Sequence, residues 1–259
     1  MNDQLKIAVI QSNLIWEDPK SNRKRFKEKI KEVTTNVDII ILPEMFTSGF
    51  TMNAEKVAES MDGKTVLWMK KRALKTNAAI IGSIVIKEDN NYFNRLLFVE
   101  PTGAIHTYDK RHTFTLAGEH NIYKAGTERL IIDYKGWKIC PLICYDLRFP
   151  VWARNTDDYD VLLYVANWPK PRILAWDTLL KARAIENMCY CIGVNRIGID
   201  EEQHEYSGNS AVYDVLGNEI TTIKPNKEQT EVLTLEKKHI DYYRNKLKFL
   251  NDQDRFSLL

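Results

Sequence analysis

The chain has 259 residues, 44% of them hydrophobic, and this length can bury the core of one large domain or two small ones. Its 37 Lys and Arg residues nearly balance 35 Asp and Glu residues, so the formal net charge is only +2. A nucleic-acid or anionic-membrane partner usually requires a basic excess, so the sequence argues against both.

The cysteine content and the N-terminal segment both bear on the compartment. Four cysteines are too few for a disulfide scaffold in a chain of this length. The first residues contain no apolar stretch of the signal-peptide type, and no run approaches the length of a membrane span. We therefore expect a reduced, cytoplasmic enzyme or binding protein.

Apolar strands and amphipathic helices alternate along the chain, which predicts a layered α/β fold. The predicted strands cover residues 6–10, 37–42, 78–87, 94–100, 104–108, 129–134, 137–144, 159–165, 189–194, 209–213 and 231–235. The predicted helices cover residues 19–33, 64–75, 173–187 and 239–248, with a short helix after Pro150. No linker, low-complexity tract or repeat interrupts this pattern, so we expect residues 1–259 to form a single domain.

The predicted helix over residues 19–33 carries a basic run that looks like a nucleic-acid-binding arm. Glu28 and Glu32 interrupt this run, and Phe26 and Ile30 form an apolar stripe beside it. Charge runs of this kind are usually solvated helix faces, and we interpret this one in that way.

The predicted strand over residues 37–42 is apolar throughout and ends at Pro43-Glu44. A carboxylate in this position is poorly solvated unless it faces a cleft, and desolvation moves a carboxyl pKa toward the range useful to a general base. The alternative is a loop glutamate in water. After the strand, residues 45–52 form an apolar, irregular loop that suits a pocket wall.

The segment over residues 110–126 is polar, carries two histidines and has no clear period. Long irregular segments inside a compact α/β chain tend to be functional. A second feature of this kind is the apolar strand that ends at Cys144, where Asp146 and Arg148 follow at once. A strand that delivers a cysteine to a turn exposes a nucleophile. The alternative is a buried free cysteine.

Three short segments together resemble the catalytic motifs of the carbon–nitrogen hydrolase (nitrilase) superfamily, in the family's order and spacing. They are Leu42-Pro43-Glu44, Tyr108-Asp109-Lys110 and Ile143-Cys144-Tyr145-Asp146. Gly118-Glu119-His120 is similar to the family's second-glutamate loop. Residues 45–50 and Trp168-Pro169 resemble the omega-amidase branch in particular.

The resemblance implies a four-layer α-β-β-α sandwich and a homodimer that stacks two such sandwiches. It also implies amide hydrolysis through a thioester, with Cys144 as nucleophile and Glu44 as general base. A free thiol with a pKa of about 8.5 holds little thiolate at neutral pH, so it needs a neighbouring base or cation. Lys110 would supply that cation and stabilise the oxyanion beside the backbone N–H of Tyr145. Glu119 would orient either Lys110 or the substrate amide.

The omega-amidase resemblance implies a short monoamide of a dicarboxylate, such as 2-oxoglutaramate, as the small-molecule substrate. The predicted substrate-binding residues are Tyr145, Phe50, Asn167 and Trp168, and Phe46 and Tyr206 are further candidates for apolar surface. A cation for the distal carboxylate remains open among Arg148, Arg172 and Arg196. The alternatives are N-carbamoyl amines or nitriles as substrates, and a non-catalytic binding or scaffold protein of the same fold.

Metal binding is a separate possibility, because His106, His112 and His120 precede Cys140 and Cys144 in sequence. Two cysteines four residues apart on an extended strand have Cβ atoms about 13 Å apart. That separation is too large for two thiolates on one zinc ion. We therefore expect no metal and no cofactor.

Overall fold

Two β-sheets lie face to face between outer layers of helices, which confirms the expected four-layer α-β-β-α sandwich. The computed structural model describes residues 3–257. The strands are β1 (Gln4–Gln11), β2 (Ile39–Ile41), β3 (Ala79–Glu88), β4 (Asn91–Val99), β5 (Ile105–Asp109), β6 (Ile132–Tyr134), β7 (Trp137–Ile143), β8 (Val161–Ala166), β9 (Tyr190–Asn195), β10 (Ile197–Ile199), β11 (Glu205–Ser207), β12 (Ala211–Tyr213) and β13 (Gln229–Glu236).

The helices cover the outer faces of the two sheets. They are α1 (Pro19–Glu32), α2 (Ala54–Val57), α3 (Lys64–Thr76), α4 (Pro150–Ala153), α5 (Ile173–Asn187) and α6 (Lys237–Leu247). Within residues 3–257, no helix has the length and apolar character that crossing a membrane requires.

The strand order brings the carboxyl ends of parallel strands together in each sheet. The larger sheet has the order β13-β1-β2-β3-β4-β5, in which β1, β2 and β3 are parallel. The smaller sheet has the order β12-β9-β8-β7-β6, in which β7, β8 and β9 are parallel. Strands β10 and β11 form a separate ribbon. Ligand sites form at the carboxyl ends of such strands, so the loops after β2, β7 and β8 are candidates for the functional site.

Alternating side chains of the central strands of the larger sheet serve two different cores. In β1, Ile7 and Val9 pack into the core between the sheets, and Ala8 and Ile10 pack toward the outer helices. Helix α1 covers this outer face with the buried Phe26. The period of two along a strand produces this division, and it explains why the central strands are apolar on both faces.

Some predicted boundaries differ from the observed ones. The strand predicted over residues 37–42 is ordered as a strand only at Ile39–Ile41, and the Asp38 carboxylate accepts the backbone N–H of Lys6 at 2.8 Å. The ribbon of β10 and β11 was not predicted, because its strands are only three residues long. The 64–75 periodicity predicts an apolar stripe that includes Val66, Met69 and Leu74, and this is wrong for Leu74, because its side chain is 72% exposed.

The contact between β9 and α5 is close because residue 193 is a glycine. A Cβ atom added at Gly193 would lie 2.3 Å from Leu180 Cδ1 and 2.7 Å from Trp176 Cζ2. Both neighbours are completely buried, so neither side chain has free space to move into. The missing side chain therefore lets the helix pack directly on the sheet that carries the cysteine.

We expect Gly193→Ala to lower the free energy of unfolding by about 1–3 kcal/mol, because it overpacks this contact. Leu180→Ala alone should cost about 2–5 kcal/mol by leaving a cavity. The double variant should lose less than the sum of the two single variants, since each change relieves the other. Urea unfolding of the four proteins measures this cycle, and strictly additive losses would contradict the close contact.

Candidate active site

The four residues predicted to be catalytic come together at the carboxyl ends of strands from both sheets. Glu44 follows β2, Lys110 follows β5, and Cys144 follows β7. Glu119 begins a short 3-10 helix in the polar segment after β5. Glu44 and Glu119 have no exposed surface, Lys110 is 1% exposed and Cys144 is 9% exposed. The two sheets thus enclose a buried cluster of ionisable groups.

Cys144 lies on a sharp turn from β7 into a 3-10 helix, Cys144–Arg148. Its φ of +43° is in the left-handed region, which costs a residue with a side chain about 1–3 kcal/mol. Such a turn presents the side chain at the end of the strand. This geometry agrees with the prediction that the strand exposes the sulfur at its carboxyl end.

The Asp146 carboxylate stabilises this turn from within the core. One of its oxygens accepts the Ile143 N–H at 3.0 Å and the Tyr108 hydroxyl at 2.8 Å. The other oxygen accepts the His112 N–H at 2.9 Å and contacts the ring Nδ1 at 2.8 Å. Asp146 therefore joins the turn that carries Cys144 to the chain segment that follows β5.

The Lys110 ammonium lies between two carboxylates. Its Nζ donates to Glu44 Oε1 at 2.9 Å and to the two carboxylate oxygens of Glu119 at 3.0 and 2.9 Å. Burial by itself would lower the pKa of Lys110, but the charges of Glu119 and Glu44 outweigh it and the pKa lies above its ordinary value. Lys110 is therefore a permanent cation. Its Nζ also lies 5.0 Å from the centre of the Phe50 ring.

Glu44 is fixed by groups from both sheets. Its Oε1 accepts the side-chain amide of Asn94, on β4, at 2.8 Å in addition to Lys110. Its Oε2 accepts the backbone N–H of Asn167, directly after β8, at 2.7 Å. The Asn167 side chain also donates to the Glu44 carbonyl oxygen at 2.7 Å. Three of these four hydrogen bonds reach the carboxylate itself, which has no contact with solvent, as satisfied buried charges require.

The electrostatic environment keeps the Cys144 thiol protonated. Burial raises the pKa of Cys144 well above its ordinary value, the negative charge of Glu44 raises it further, and Lys110 acts in the opposite direction. A neutral thiol beside a fixed carboxylate suits proton transfer at the moment of attack better than a thiolate formed in advance.

A cavity of about 300 Å³ opens in front of Cys144 and Lys110. All four residues predicted to bind substrate line it, namely Phe50, Tyr145, Asn167 and Trp168. Tyr206 also lines the cavity. The suggestion that Phe46 contributes to this surface is wrong, because its ring packs edge-on against Phe26, 5.4 Å away, in the core beneath the larger sheet.

Trp168 forms a fixed wall of the cavity. Its backbone N–H donates to Asn195 Oδ1 at 2.7 Å, and its carbonyl accepts the Asn195 side chain at 2.9 Å. Its indole N–H donates to the Arg172 carbonyl at 2.8 Å. The backbone and ring of Trp168 are therefore both held in place by side-chain and main-chain partners.

The three arginines proposed for a distal carboxylate have different positions. Arg148 and Arg172 line the cavity. Arg196 does not, and its candidacy is wrong, because its buried guanidinium donates to the carbonyls of Ile197 and Leu14 and to Asn13. It belongs to the structural core behind the cavity.

The histidines and cysteines do not assemble into a metal site. Among residues 3–257, no group of three or more His, Cys, Asp or Glu side chains is arranged to hold a metal ion. His106 contacts Glu100 at 2.8 Å and His112 contacts Asp146, so both are used elsewhere. All four cysteines are free.

Sequence reasoning missed Asn94 and Asp146 as parts of the site. Asn94 begins a predicted strand that is otherwise largely apolar, and a buried polar group in such a strand needs a partner. Asp146 lies inside the cysteine motif, where a carboxylate two residues after the strand is a ready acceptor for the turn. The residue types were visible in the sequence, but their partners come from distant strands.

The sequence model of the carbon-nitrogen hydrolase family matches residues 6–244. The chain belongs to this family. It is 45% identical to a protein of Escherichia coli K12 named omega-amidase YafV, over 98% of each chain. It is 33% identical to the 2-oxoglutaramate amidase of Bacillus subtilis, over 82% of this chain and 83% of that protein.

A solved structure of another family member has the same fold. This CN-hydrolase superfamily protein from Xanthomonas campestris is 43% identical and superposes with a TM-score of 0.96, covering 98% of this chain and 99% of that chain. That structure carries an arsenic adduct in its active site. Membership of the carbon-nitrogen hydrolase family confirms the resemblance first noted in the three short motifs.

The charges around the Cys144 thiol predict how its alkylation depends on pH. Glu44→Gln removes the negative charge that raises the pKa of Cys144, so the midpoint of a pH series of alkylation by iodoacetamide should move to lower pH. Lys110→Met removes the opposing cation and should move the midpoint to higher pH. Mass spectrometry of the alkylated peptides measures both shifts.

The buried Cys189 and Cys191 provide an internal control, since burial raises the pKa of each thiol and neither should be alkylated while the protein is folded. Cys144→Ala identifies the peptide signal that belongs to residue 144. Shifts of the same sign in Glu44→Gln and Lys110→Met would contradict the balance of charges.

Proposed function

We propose that this protein is a thiol-dependent amidase that hydrolyses the terminal amide of a small dicarboxylate monoamide, of the 2-oxoglutaramate type, to the acid and ammonia. The observation that carries the proposal is that Cys144 and Lys110 line one cavity while the buried Glu44 accepts a hydrogen bond from Lys110 behind them. The names of the relatives, omega-amidase and 2-oxoglutaramate amidase, support the substrate class. The family match over residues 6–244 supports our proposal that the chain is one catalytic domain.

Acylation begins when the Cys144 sulfur attacks the amide carbon and its proton passes to Glu44. The carbonyl oxygen becomes an oxyanion, which the Lys110 cation and the backbone N–H of Tyr145 stabilise. Collapse of this intermediate breaks the carbon–nitrogen bond as Glu44 returns the proton to the leaving nitrogen. Ammonia departs, and the acyl group remains on Cys144 as a thioester.

Deacylation uses the same base in a second cycle. Glu44 takes a proton from water as the water oxygen attacks the thioester carbon. The oxyanion forms again at the same place, and its collapse expels the sulfur, which regains the proton from Glu44. The balance is one amide and one water consumed, and one acid and one ammonia released. A single fixed carboxylate therefore serves both halves of the reaction.

We propose a positioning role for Glu119. Its two oxygens accept hydrogen bonds from Lys110, and one of them also accepts the Phe114 N–H at 2.5 Å. Burial holds the pKa of Glu119 above its ordinary value, and the charge of Lys110 offsets only part of that rise. These contacts support orientation of Lys110 rather than direct contact with the substrate amide.

We expect Cys144→Ala to abolish ammonia release while leaving the fold intact, because the sulfur forms the covalent intermediate. Cys140→Ala is the matched control: this cysteine is completely buried in the core around the smaller sheet, four residues earlier, so its loss should change stability more than rate. Ammonia release is measured with 2-oxoglutaramate, succinamate, glutamine, an N-carbamoyl amine and a nitrile.

The substrate panel separates the proposal from its alternatives. Faster turnover of the N-carbamoyl amine or the nitrile would replace the amidase assignment by another reaction of the same three residues. Absence of turnover with every compound would favour a non-catalytic member of the fold. Full activity in Cys144→Ala would refute the covalent mechanism.

We also propose that the protein is a cytoplasmic homodimer. The assigned nucleophile must be a reduced thiol, and all four cysteines are free, which supports a reducing compartment. Leu174 and Ile185 on α5 are 79% and 46% exposed. They are eleven residues apart, which places them on one helical stripe. An exposed apolar stripe on an outer helix suits a twofold contact between two copies.

Leu174→Glu combined with Ile185→Glu should convert the dimer to a monomer, because four like charges would meet across the twofold axis. Leu67 and Leu74 on α3 provide the matched control, since they are 57% and 72% exposed but lie among lysines. Light scattering during size-exclusion chromatography gives the mass of each variant. A monomeric wild type, or equal dissociation by the α3 pair, would contradict the proposed contact.

A further inference from the structure

The cavity in front of Cys144 contains two guanidinium groups that have no carboxylate partner. Among the residues the structure describes, neither Arg148 nor Arg172 forms an ion pair, whereas Lys110 is matched by two carboxylates. Arg95, a buried arginine, likewise contacts two carboxylates. The buried Arg196 has no ion-pair partner among the described residues either, but it donates to the carbonyl and amide oxygens around it. Two unmatched cations that share one cavity therefore create a preference for an anion.

Aromatic rings hold both guanidinium groups. The Arg148 Cζ lies 5.0 Å from the centre of the Trp168 ring, and the Arg172 Cζ lies 5.1 Å from that of Phe114. Contact with the face of a ring fixes the guanidinium plane and leaves its N–H edge free to donate. The Phe114 backbone is itself tied to Glu119, so this ring is anchored to the charged cluster.

The acidic residues of the cavity are engaged elsewhere. The Asp200 carboxylate accepts the Tyr206 hydroxyl at 2.8 Å and the N–H groups of Glu202 and His204 at 3.0 and 2.9 Å. The Glu202 side chain is 60% exposed, and its ion-pair partner is His204 at 3.8 Å. Neither carboxylate neutralises the arginines, so the positive charge remains available to a ligand.

We propose that Arg148 and Arg172 form the subsite that binds the distal carboxylate of the substrate. This inference rests on the proposed amidase function and names the residues that would select an acyl chain ending in a carboxylate. Arg148 is the last residue of the 3-10 turn that starts at Cys144, which places their Cα atoms about 8 Å apart at a rise of about 2 Å per residue. A short acyl chain spans such a distance.

The two arginines approach the cavity from different chain segments, so they can act as a pair. Arg148 follows β7, and Arg172 ends the short helix Lys170–Arg172 after Trp168. A carboxylate accepts a guanidinium through two parallel N–H bonds, and two guanidinium groups can share its two oxygens. The subsite therefore selects charge and chain length together.

The first test measures binding without turnover. Glutarate should protect Cys144 of the wild type from iodoacetamide. The apparent Kd of glutarate should rise at least about tenfold in Arg148→Met and in Arg172→Met, because each variant loses a charged hydrogen bond to the ligand. Lys170→Met is the matched control. Lys170 lies two residues before Arg172, but its ammonium pairs with Glu205, and neither residue lines the cavity. Protection of Cys144 by glutarate should therefore stay as in the wild type.

The second test compares two amides of equal chain length, succinamate and butyramide. In either arginine variant, kcat/KM for succinamate should fall at least about tenfold more than for butyramide, mainly through KM. Equal losses for both amides, or unchanged glutarate protection in both variants, would overturn the subsite. If no amide is turned over but protection by glutarate still depends on the arginines, the amidase proposal fails and the anion subsite stands.

Discussion

The ion cluster formed by Glu44, Lys110 and Glu119 is the interaction on which the rest of the site depends. An isolated charge removed from water is very unfavourable, and these three groups are buried only because each satisfies another. Lys110 is the shared partner, so its loss would leave two carboxylates facing each other in the core. The neighbouring amides of Asn94 and Asn167 complete the set of donors and fix the position of the base.

The same cluster explains how a cysteine can act without being ionised beforehand. Burial and Glu44 raise the pKa of Cys144, so the thiol carries its proton until a substrate arrives. The strained turn at Cys144 keeps the sulfur in place, and Asp146 binds that turn to the segment after β5. Positioning, rather than prior deprotonation, is therefore what the surrounding core supplies.

The sequence predicted the members of the cluster more accurately than their connections. Glu44 and Cys144 could be found because each follows an apolar strand directly, and strand ends converge in a layered fold. The order of the two sheets could not be predicted, since it depends on pairing between distant segments. Arg196 and Arg172 illustrate the same limit, because both are arginines close to a motif in the sequence. Tertiary packing places Arg196 in the core and Arg172 in the cavity lining, and the sequence does not show this difference.

Glu44 is held by Asn94 from one sheet and by Asn167 from the other, so the base and the nucleophile keep their distance only while the sheets keep theirs. Facing sheets lie about 10 Å apart, and the side chains between them set that spacing. The inter-sheet core is therefore part of the catalytic geometry. Evolution of this chain can exchange one apolar residue for another there, but compensating changes must conserve the total side-chain volume.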